Sequence, residues 1–517
     1  MSSFTKTLPK AILGQFLRSD IMSLINISDL TFSYEGSYQN VFESVSFQMD
    51  TDWKLGCIGR NGRGKTTLLN LLCGRYEYSG SITASVNFEY FPFEWKGSDK
   101  MTIEGVDYIN PVYELWALQK ELSLLKVDEE VLYRPFKTLS GGEQTKVMLA
   151  VLFTKENNFL LIDEPTNHLD AEAREIVSKY LKGKKGFILV SHDRDFLDRC
   201  VDHIIAINKT VIQVEKGNFS SWKENKDRTD HFEIERNINL KKEIKRLEST
   251  AKKTAQRADE IESKKIGKKA PPRTDAFANT RSYVAEKSRK LQQRRKNMES
   301  RRQNAIEEKS SLLKNIEEAE PLKLSMLSYH NQRLIELSQV SICYGEKIAC
   351  ENVSFNINSG DRIALCGKNG SGKSSILKLI AGEKLQYSGE FQKGKNIQIS
   401  YVPQDVSFLS GNLKDFARSH KLDESLLKTL LHKLGFEKSQ FEKDIKHFSA
   451  GQKKKVLLAK SLSERSHILL WDEPMNYIDV FSRIQIEDLL LEFQPTILFV
   501  EHDQTFLTEV ASRRIDL

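Results

Sequence analysis

The 517-residue chain is predicted to be an α/β protein in which two similar domains are joined by a long helical segment. Three observations indicate this fold. A glycine-rich loop occurs once in each half, between an apolar strand-like run and an amphipathic helix-like run. In both halves further apolar runs alternate with helical patterns, which is typical of a mainly parallel sheet. A stretch of about a hundred residues rich in Lys, Arg, Glu and Gln separates the halves.

The composition is that of an ordinary globular protein, with 39% hydrophobic and 29% charged residues. The sequence contains no run of 18 or more apolar residues, so we expect no membrane-spanning helix. Residues 1–22 lack the apolar core of a signal peptide, and we expect them to form a disordered extension. The six cysteines have no CxxC spacing. They are expected to be buried thiols in a reducing cytoplasm.

The two halves repeat each other in order and in spacing. The loop GRNGRGKT at residues 59–66 recurs as GKNGSGKS at residues 367–374, 308 positions later. Chance similarity does not keep such spacing. The first domain is therefore placed at 23–222, the linker at 223–331 and the second domain at 332–517. Four other landmarks recur 309 or 310 positions apart: Ser140 and Ser449, Asp163 and Asp472, His192 and His502, and Tyr34 and Tyr344.

Both glycine-rich loops match the GxxxxGK[ST] pattern, which wraps nucleotide phosphates with backbone N–H groups. The helix that follows such a loop adds partial positive charge at its N-terminus. Lys65 and Lys373 are predicted to reach the β- and γ-phosphates, and Thr66 and Ser374 to offer a hydroxyl to Mg²⁺. The other residues of the loops predicted to bind nucleotide are Gly59, Asn61, Gly62, Gly64, Thr67, Gly367, Asn369, Gly370, Gly372 and Ser375.

Two acidic pairs, Asp163–Glu164 and Asp472–Glu473, each end an apolar run. Taken alone, such a pair is more often a solvated strand end. Beside a phosphate loop, the first carboxylate of each pair is suited to Mg²⁺. The second carboxylate is suited to orient or deprotonate the attacking water. We therefore predict Glu164 and Glu473 as catalytic residues and the two aspartates as metal ligands.

The sequence LSGGEQ at residues 139–144 resembles the signature of the ATP-binding-cassette superfamily, and the resemblance covers both halves. It implies two nucleotide-binding domains of that type. It also implies that the two domains pair within one monomer, with two ATP molecules and Mg²⁺ between them. By that resemblance, the residues that face ATP across the interface are Ser140 and Gly142 for the site at Lys373, and Ser449 and Gly451 for the site at Lys65.

Three further pairs of residues match positions with known roles in that superfamily. His192 and His502 match a histidine that contacts the γ-phosphate. Asp170 and Asp479 match an aspartate in the loop that couples the two sites. Tyr34 and Tyr344 match an aromatic ring that stacks on adenine, although a strand-end tyrosine also commonly packs into a core.

The two halves also differ at positions that matter for hydrolysis. Gln404 matches the superfamily glutamine that senses Mg²⁺ and the attacking water, whereas the first domain has Phe93, which cannot coordinate anything. The second signature is FSAGQ at residues 448–452, a departure from the common pattern. We therefore expect unequal sites, with ready turnover at Lys373 and longer ATP retention at Lys65.

The linker carries the positive charge of the chain. Residues 223–320 contain 27 Lys and Arg against 18 Asp and Glu, a net +9, whereas the whole chain has +7. Helices are predicted over 223–264 and 282–318, forming a hairpin with an irregular tip near 265–281. A solvated stalk and an RNA-binding probe both explain such charge. The predicted RNA-contacting residues are Lys265, Lys268, Lys269, Arg273 and Phe277.

Tandem domains, no membrane domain and a basic helical linker together resemble the ABC-F family of translation factors. The loop GRNGRGKTT and the start of the first domain resemble its antibiotic-resistance type, most of all the Lsa subgroup. The resemblance implies binding at the E site of the 70S ribosome, with the linker reaching P-site tRNA and 23S rRNA. It further implies release of lincosamides, streptogramin A and pleuromutilins. A housekeeping ABC-F translation factor, the ATPase subunit of a membrane transporter and a DNA-handling ATPase are the alternatives.

Overall fold

The computed structural model describes residues 24–266 and 324–517, except 37–39, 156, 168, 209–210, 325, 346, 369 and 438–439, together with 293, 296, 300 and 301. Of the side chains at 247, 248 and 250–266 nothing is described. The extension expected at 1–22 and nearly all of the helix predicted over 282–318 lie outside the described residues. The chain divides into two compact units, one of Met1–Trp222 with Ala319–Leu517 and one of Lys223–Glu318.

The first domain is built on two sheets. Its strands are β1 (Leu24–Phe32), β2 (Phe42–Asp50), β3 (Lys54–Ile58), β4 (Ser79–Thr83), β5 (Asn87–Phe91), β6 (Asn158–Asp163), β7 (Phe187–Val190), β8 (His203–Ile207) and β9 (Ile212–Lys216). An antiparallel sheet has the order β2-β1-β4, and the larger sheet has the order β5-β6-β7-β3-β8-β9. The larger sheet is parallel except for β9, which pairs antiparallel with β8.

The second domain repeats this plan. Its strands are β10 (Arg333–Tyr344), β11 (Lys347–Asn358), β12 (Arg362–Cys366), β13 (Gln386–Lys393), β14 (Ile399–Val402), β15 (Ile468–Asp472), β16 (Ile497–Val500) and β17 (Arg513–Asp516). The antiparallel sheet has the order β11-β10-β13, and the parallel sheet has the order β14-β15-β16-β12-β17. The predicted α/β fold with two such domains is confirmed.

Helices cover the sheets in both domains. Those of the first domain and the linker are α1 (Lys65–Leu72), α2 (Thr102–Ile109), α3 (Leu115–Leu124), α4 (Gly141–Phe153), α5 (Ala171–Lys182), α6 (Arg194–Cys200) and α7 (Phe219–Ile266). Those of the second domain are α8 (Lys373–Ala381), α9 (Leu413–Ser419), α10 (Glu424–Lys433), α11 (Ala450–Ser463), α12 (Val480–Phe493) and α13 (Gln504–Val510). Both glycine-rich loops run from a central parallel strand into α1 or α8, at the edge where ligands bind in such folds.

The buried strands separate two core layers because successive side chains point to opposite faces of a sheet. In β6, Leu160 and Ile162 belong to the core against α3, α4 and α5. Phe159 and Leu161, from the same strand, belong to the core against the antiparallel sheet and α1. Both faces are therefore covered, which explains why these strands appear in the sequence as uninterrupted apolar runs.

Helix α7 contains the helix predicted over 223–264 and extends it at both ends. Its 48 residues span about 70 Å at 1.5 Å per residue. Phe219 and Trp222, at its start, are buried in the first-domain core. Leu324 and Met326, which the sequence assigns to the linker, instead pack against the core of the second domain. Of the predicted RNA-contacting residues, Lys265 lies in the last turn of α7, and Lys268, Lys269, Arg273 and Phe277 lie outside the described residues.

Leu189 lies fully buried in β7, and replacing it with Ala should destabilise the first domain. Loss of a buried leucine side chain leaves a cavity that costs about 2–5 kcal/mol. Calorimetry should show a lower melting temperature for the first-domain transition. Val112→Ala is the control, because Val112 is 88% exposed and its removal should change little. Equal shifts for the two variants would contradict this description of the core.

Candidate nucleotide sites

The loop before α1 holds a conformation that requires glycine. Gly62 and Gly64 have φ of 83° and 93°, in the left-handed region. A Cβ on Gly64 would lie 2.7 Å from Val41 Cγ1. Lys65 Nζ donates a hydrogen bond to the Gly59 carbonyl at 2.8 Å, so the loop wraps its own lysine. The result is a cradle of the kind that binds anions through backbone N–H groups and a lysine ammonium.

The loop before α8 has the same construction. Gly370 and Gly372 have φ of 86° and 88°. Lys373 Nζ donates to the carbonyls of Gly367 and Lys368, both at 2.8 Å. Asn369, the remaining predicted loop residue, lies outside the described residues. Two equivalent cradles of one shape are thus present in the chain.

A hydroxyl side chain and an aspartate lie next to each phosphate-loop lysine. Thr66 Oγ1 donates to Asp163 Oδ2 at 2.8 Å, and Tyr90 OH donates to the same oxygen at 2.9 Å. In the second domain Ser374 hydrogen-bonds Asp472, whose Oδ1 is buried without a hydrogen-bond partner. Burial raises the pKa of both aspartates. A hydroxyl, a carboxylate and an orphaned oxygen match the oxygen ligands that Mg²⁺ prefers.

No group of three or more His, Cys, Asp or Glu in the described part of the chain could hold a metal ion. One hydroxyl and one carboxylate per domain are too few for a metal site made by protein alone. Mg²⁺ characteristically keeps several waters and binds through one or two protein groups together with substrate phosphates. The residues therefore fit a Mg²⁺ ion that arrives with a nucleotide.

Glu473 is held by three side chains of its own domain. Gln404 Nε2 donates to Glu473 Oε2 at 2.9 Å, and Asn476 Nδ2 donates to the same oxygen at 2.5 Å. His502 Nε2 lies 3.6 Å from the other oxygen. Burial alone would raise the pKa of Glu473, but the nearby His502 and the hydrogen bond from Gln404 favour the ionised form and leave the pKa lowered. The structure thus brings together the predicted base, glutamine and histidine with the carboxylate ionised.

Glu164 has a different environment although it occupies the equivalent position. Its Oε1 lies 3.4 Å from His192 Nε2 but makes no hydrogen bond. Burial, together with the neighbouring charge of Asp163, raises the pKa of Glu164 to about 8. Burial also holds the pKa of His192 well below its usual range, so the imidazole is neutral. Phe93, at the position of the glutamine, stacks on Trp95 with ring centroids 6.0 Å apart.

The two predicted adenine-stacking tyrosines are not core residues. Tyr34 is 45% exposed and Tyr344 is 47% exposed. The Tyr34 hydroxyl lies 2.7 Å from Thr67 Oγ1, and the Tyr344 hydroxyl donates to Ser375 Oγ at 3.3 Å. Each ring is therefore tied to the helix that follows its phosphate loop while about half of the residue remains exposed. A half-exposed aromatic ring at this place is suited to stack on a base.

The signature of the second domain lies against the phosphate loop of the first. Asn61 Nδ2 donates to the Tyr477 carbonyl across the interface at 2.8 Å. A Cβ on Gly451 would lie 2.4 Å from that carbonyl and 2.9 Å from Asn61 Nδ2, so the contact requires glycine. Ser449 caps α11 by accepting from the Gln452 N–H. The site at Lys65 is thus lined by both domains.

The reciprocal relation is visible in the electrostatics of the two lysines. Burial lowers the pKa of Lys65, and the carboxylate of Asp479 from the second domain opposes this. Burial likewise lowers the pKa of Lys373, opposed by its own acidic pair and by Asp170 of the first domain. Ser140 caps α4 through a capping box, with Gly142 in the first turn of that helix. Each coupling-loop aspartate is therefore close enough to act on the opposite phosphate loop.

Lys454 is a buried residue whose place the sequence does not predict. Its Nζ donates to the carbonyls of Pro403, at 2.8 Å, and Asp472, at 2.9 Å. Burial lowers the pKa of Lys454 to about 8. The equivalent residue of the first domain is Thr145, so this tie between the α11 helix and the Gln404 strand is specific to the second domain. In the sequence Lys454 is part of the run KKK at 453–455, and because such runs are usually exposed, its burial is not predicted.

Known proteins share both the motifs and the fold of the chain. A family model described as ABC transporter matches residues 42–167 and 350–476. The probable ATP-binding protein YheS of Escherichia coli (strain K12) is 30% identical over 515 residues, covering 90% of this chain and 75% of YheS. The chain is an ATP-binding-cassette protein of the ABC-F type. It therefore binds ATP and is an ATPase.

Other similarities of this ABC-F protein extend along most of its length. The ribosome protection protein VmlR of Bacillus subtilis (strain 168) is 28% identical over 511 residues, covering 96% of this chain and 86% of VmlR. The archaeal ribosome recycling factor aABCE1, solved in complex with the ribosomal stalk protein aP1, has a TM-score of 0.60 at 18% identity. That alignment covers 94% of this chain and 87% of the solved chain and shows the shared fold. Within the described residues no helix is long and apolar enough to cross a membrane.

Removing the carboxylate of Glu473 should slow steady-state ATP hydrolysis far more than removing that of Glu164. Gln404 holds Glu473, whose pKa is lowered, whereas burial raises the pKa of Glu164 to about 8 and Phe93 stands where Gln404 would be. We expect Glu473→Gln to lose about 10²-fold, the usual contribution of a general base, and Glu164→Gln to lose less than about threefold. The measurement is phosphate release at saturating ATP. Equal losses in the two variants would show that the sites are equivalent.

Proposed function

We propose that this ABC-F ATPase acts on the ribosome in the cytoplasm, where it binds the E site of the 70S particle. Its linker would approach P-site tRNA and the 23S rRNA of the peptidyl-transferase centre. There it would dislodge lincosamides, streptogramin A and pleuromutilins. The observation that carries the proposal is α7, a helix of 48 residues that begins a basic linker, since residues 223–320 have a net charge of +9. The similarity to a protein named for ribosome protection supports it.

ATP would be bound between the two domains. The phosphate loops would bind it through backbone N–H groups and through Lys65 and Lys373. Mg²⁺ would neutralise phosphate charge where the hydroxyls of Thr66 and Ser374 lie beside the aspartates. Gln404, Asn476 and His502 hold the Glu473 carboxylate ionised and oriented, so it can take a proton from water. Gln404 keeps that carboxylate oriented. The first domain has Phe93 at the equivalent position, and its side chain cannot donate a hydrogen bond to Glu164.

ATP binding would favour the paired domains, because each phosphate loop then gains a signature helix from the other domain. Asn61 and Gly451 already lie in contact at one of these interfaces. Hydrolysis would remove the γ-phosphate that bridges them and let the domains separate. No second substrate is required, so the energy would drive a cycle of binding and release.

The linker would contact RNA through charge. Lys and Arg neutralise phosphates and release counterions, which makes binding weaken with salt. Lys265, Lys268, Lys269 and Arg273 place four positive charges near the tip. Phe277 is an aromatic ring among them that could stack on a base. A transporter subunit has no use for such a segment between its domains.

The doubly substituted protein Glu164→Gln/Glu473→Gln should co-sediment with 70S ribosomes when ATP is present. These substitutions keep the phosphate loops intact but remove the carboxylates that act on water, so ATP should hold the domains paired. The matched control is the same protein without ATP, which should stay in the supernatant. Raising the salt should release it, and DNA should not compete. Absence from the pellet under all conditions would remove the ribosomal proposal.

Expression in a drug-sensitive host should raise tolerance to lincomycin and tiamulin severalfold. This assay separates the resistance type, which the Lsa-like start of the first domain favours, from a housekeeping ABC-F translation factor. The variant Phe277→Ala should lose tolerance while it still pellets with ribosomes, since no predicted ATP-binding residue is changed. Unchanged tolerance in cells that contain the protein would leave the housekeeping role as the better explanation.

A further inference from the structure

A buried ion pair crosses between the two domains on the His192 side of their interface. Arg194 is the first residue of α6, two positions after His192, and Glu487 lies in α12 of the second domain. Arg194 Nη2 donates to Glu487 Oε1, and the two side chains are only 11% and 3% exposed. The pair therefore joins the strand end that carries one switch histidine to the opposite domain.

The equivalent place at the other edge has no such pair. The internal repeat aligns Arg194 with Gln504 and Glu487 with Ser178, both uncharged. Ser178 Oγ donates to the Glu175 carbonyl of its own helix instead of reaching across. Gln504 and Ser178 line a cavity of about 340 Å³, which His502 also borders. Beside His502, a cavity therefore occupies the position that corresponds to the ion pair beside His192.

One intradomain ion pair is common to the two places. In the first domain Arg174 Nη1 lies 3.0 Å from Asp193 Oδ2, and in the second Arg483 Nη1 lies 2.9 Å from Asp503 Oδ2. These intradomain pairs are related by the repeat and fix α5 to α6 and α12 to α13. On this shared framework, the interdomain pair occurs at one place and the cavity at the other.

From this geometry we infer that Arg194 and Glu487 form a one-sided latch. It holds the domains together at the edge next to His192, so that they separate first at the edge next to His502. A buried charge pair resists the first stage of separation, because a small gap breaks the contact before water can hydrate both ions. At the cavity edge fewer packed atoms oppose the same movement. The inference rests on the ATPase activity and not on the ribosomal proposal.

The pair is suited to control geometry more than net stability. Burial raises the pKa of Glu487 to about 7, although Arg194 opposes this. Much of the attraction is therefore offset by desolvation, as is common for buried pairs. Arg194 and Glu487 touch no phosphate loop, so they are positioning residues that act through the interface.

Release of trapped ATP tests the latch. Glu164→Gln/Glu473→Gln protein is loaded with labelled ATP and Mg²⁺ and then chased with unlabelled ATP. We expect two phases of one ATP per chain each, with the slow phase absent when Lys65→Ala is added. Adding Arg194→Gln/Glu487→Ser, which copies the residues of the other edge, should speed the slow phase about tenfold and leave the fast phase unchanged.

Two further variants separate a latch from general loss of structure. The charge exchange Arg194→Glu/Glu487→Arg should restore the slow phase. Ser178→Glu/Gln504→Arg, which builds a pair at the cavity edge, should slow the fast phase. A single release phase in the parent protein, or a slow phase unaffected by Arg194→Gln/Glu487→Ser, would overturn the inference. The assay contains no ribosomes, so its outcome is independent of ribosome binding.

Discussion

The contact between Asn61 and Tyr477 is the interaction on which the rest of the account depends. It brings the phosphate loop of one domain against the signature helix of the other, where Gly451 leaves no room for a side chain. A phosphate loop alone binds nucleotide in many folds and specifies little else. Completed by a second domain, it links the occupancy of the site to the relative position of two domains.

The duplicated halves share a fold and differ in chemistry. The same strand ends carry Glu164 and Glu473, yet one carboxylate is protonated by burial and the other is ionised by hydrogen bonds. The deeper burial of Glu164 and the presence of His502 and Gln404 beside Glu473 account for this contrast. The interdomain pair at Arg194 adds a second asymmetry, in the same direction. A slow and a fast site in one molecule would let ATP hold the domains at one edge while the other edge turns over.

Much of the fold and of each site could be predicted from sequence because both depend on local patterns. The loops at Lys65 and Lys373 follow from glycine spacing, and the strands follow from apolar runs covered on both faces. Lys454 and the Arg194–Glu487 pair could not be predicted, since their partners are backbone carbonyls or side chains distant in sequence. The linker assignment of Leu324 and Met326 failed because two apolar residues carry no periodic signal that separates a linker from a core.

A structure of the Glu164→Gln/Glu473→Gln protein with ATP and Mg²⁺ would test the shared-site arrangement most directly. We expect two ATP molecules per chain. The one at Lys65 should contact Ser449 or Gly451 of the second domain, and the one at Lys373 should contact Ser140 or Gly142 of the first. An ATP at Lys65 that touches residues of the first domain alone, with Gly451 separated from Asn61, would contradict it.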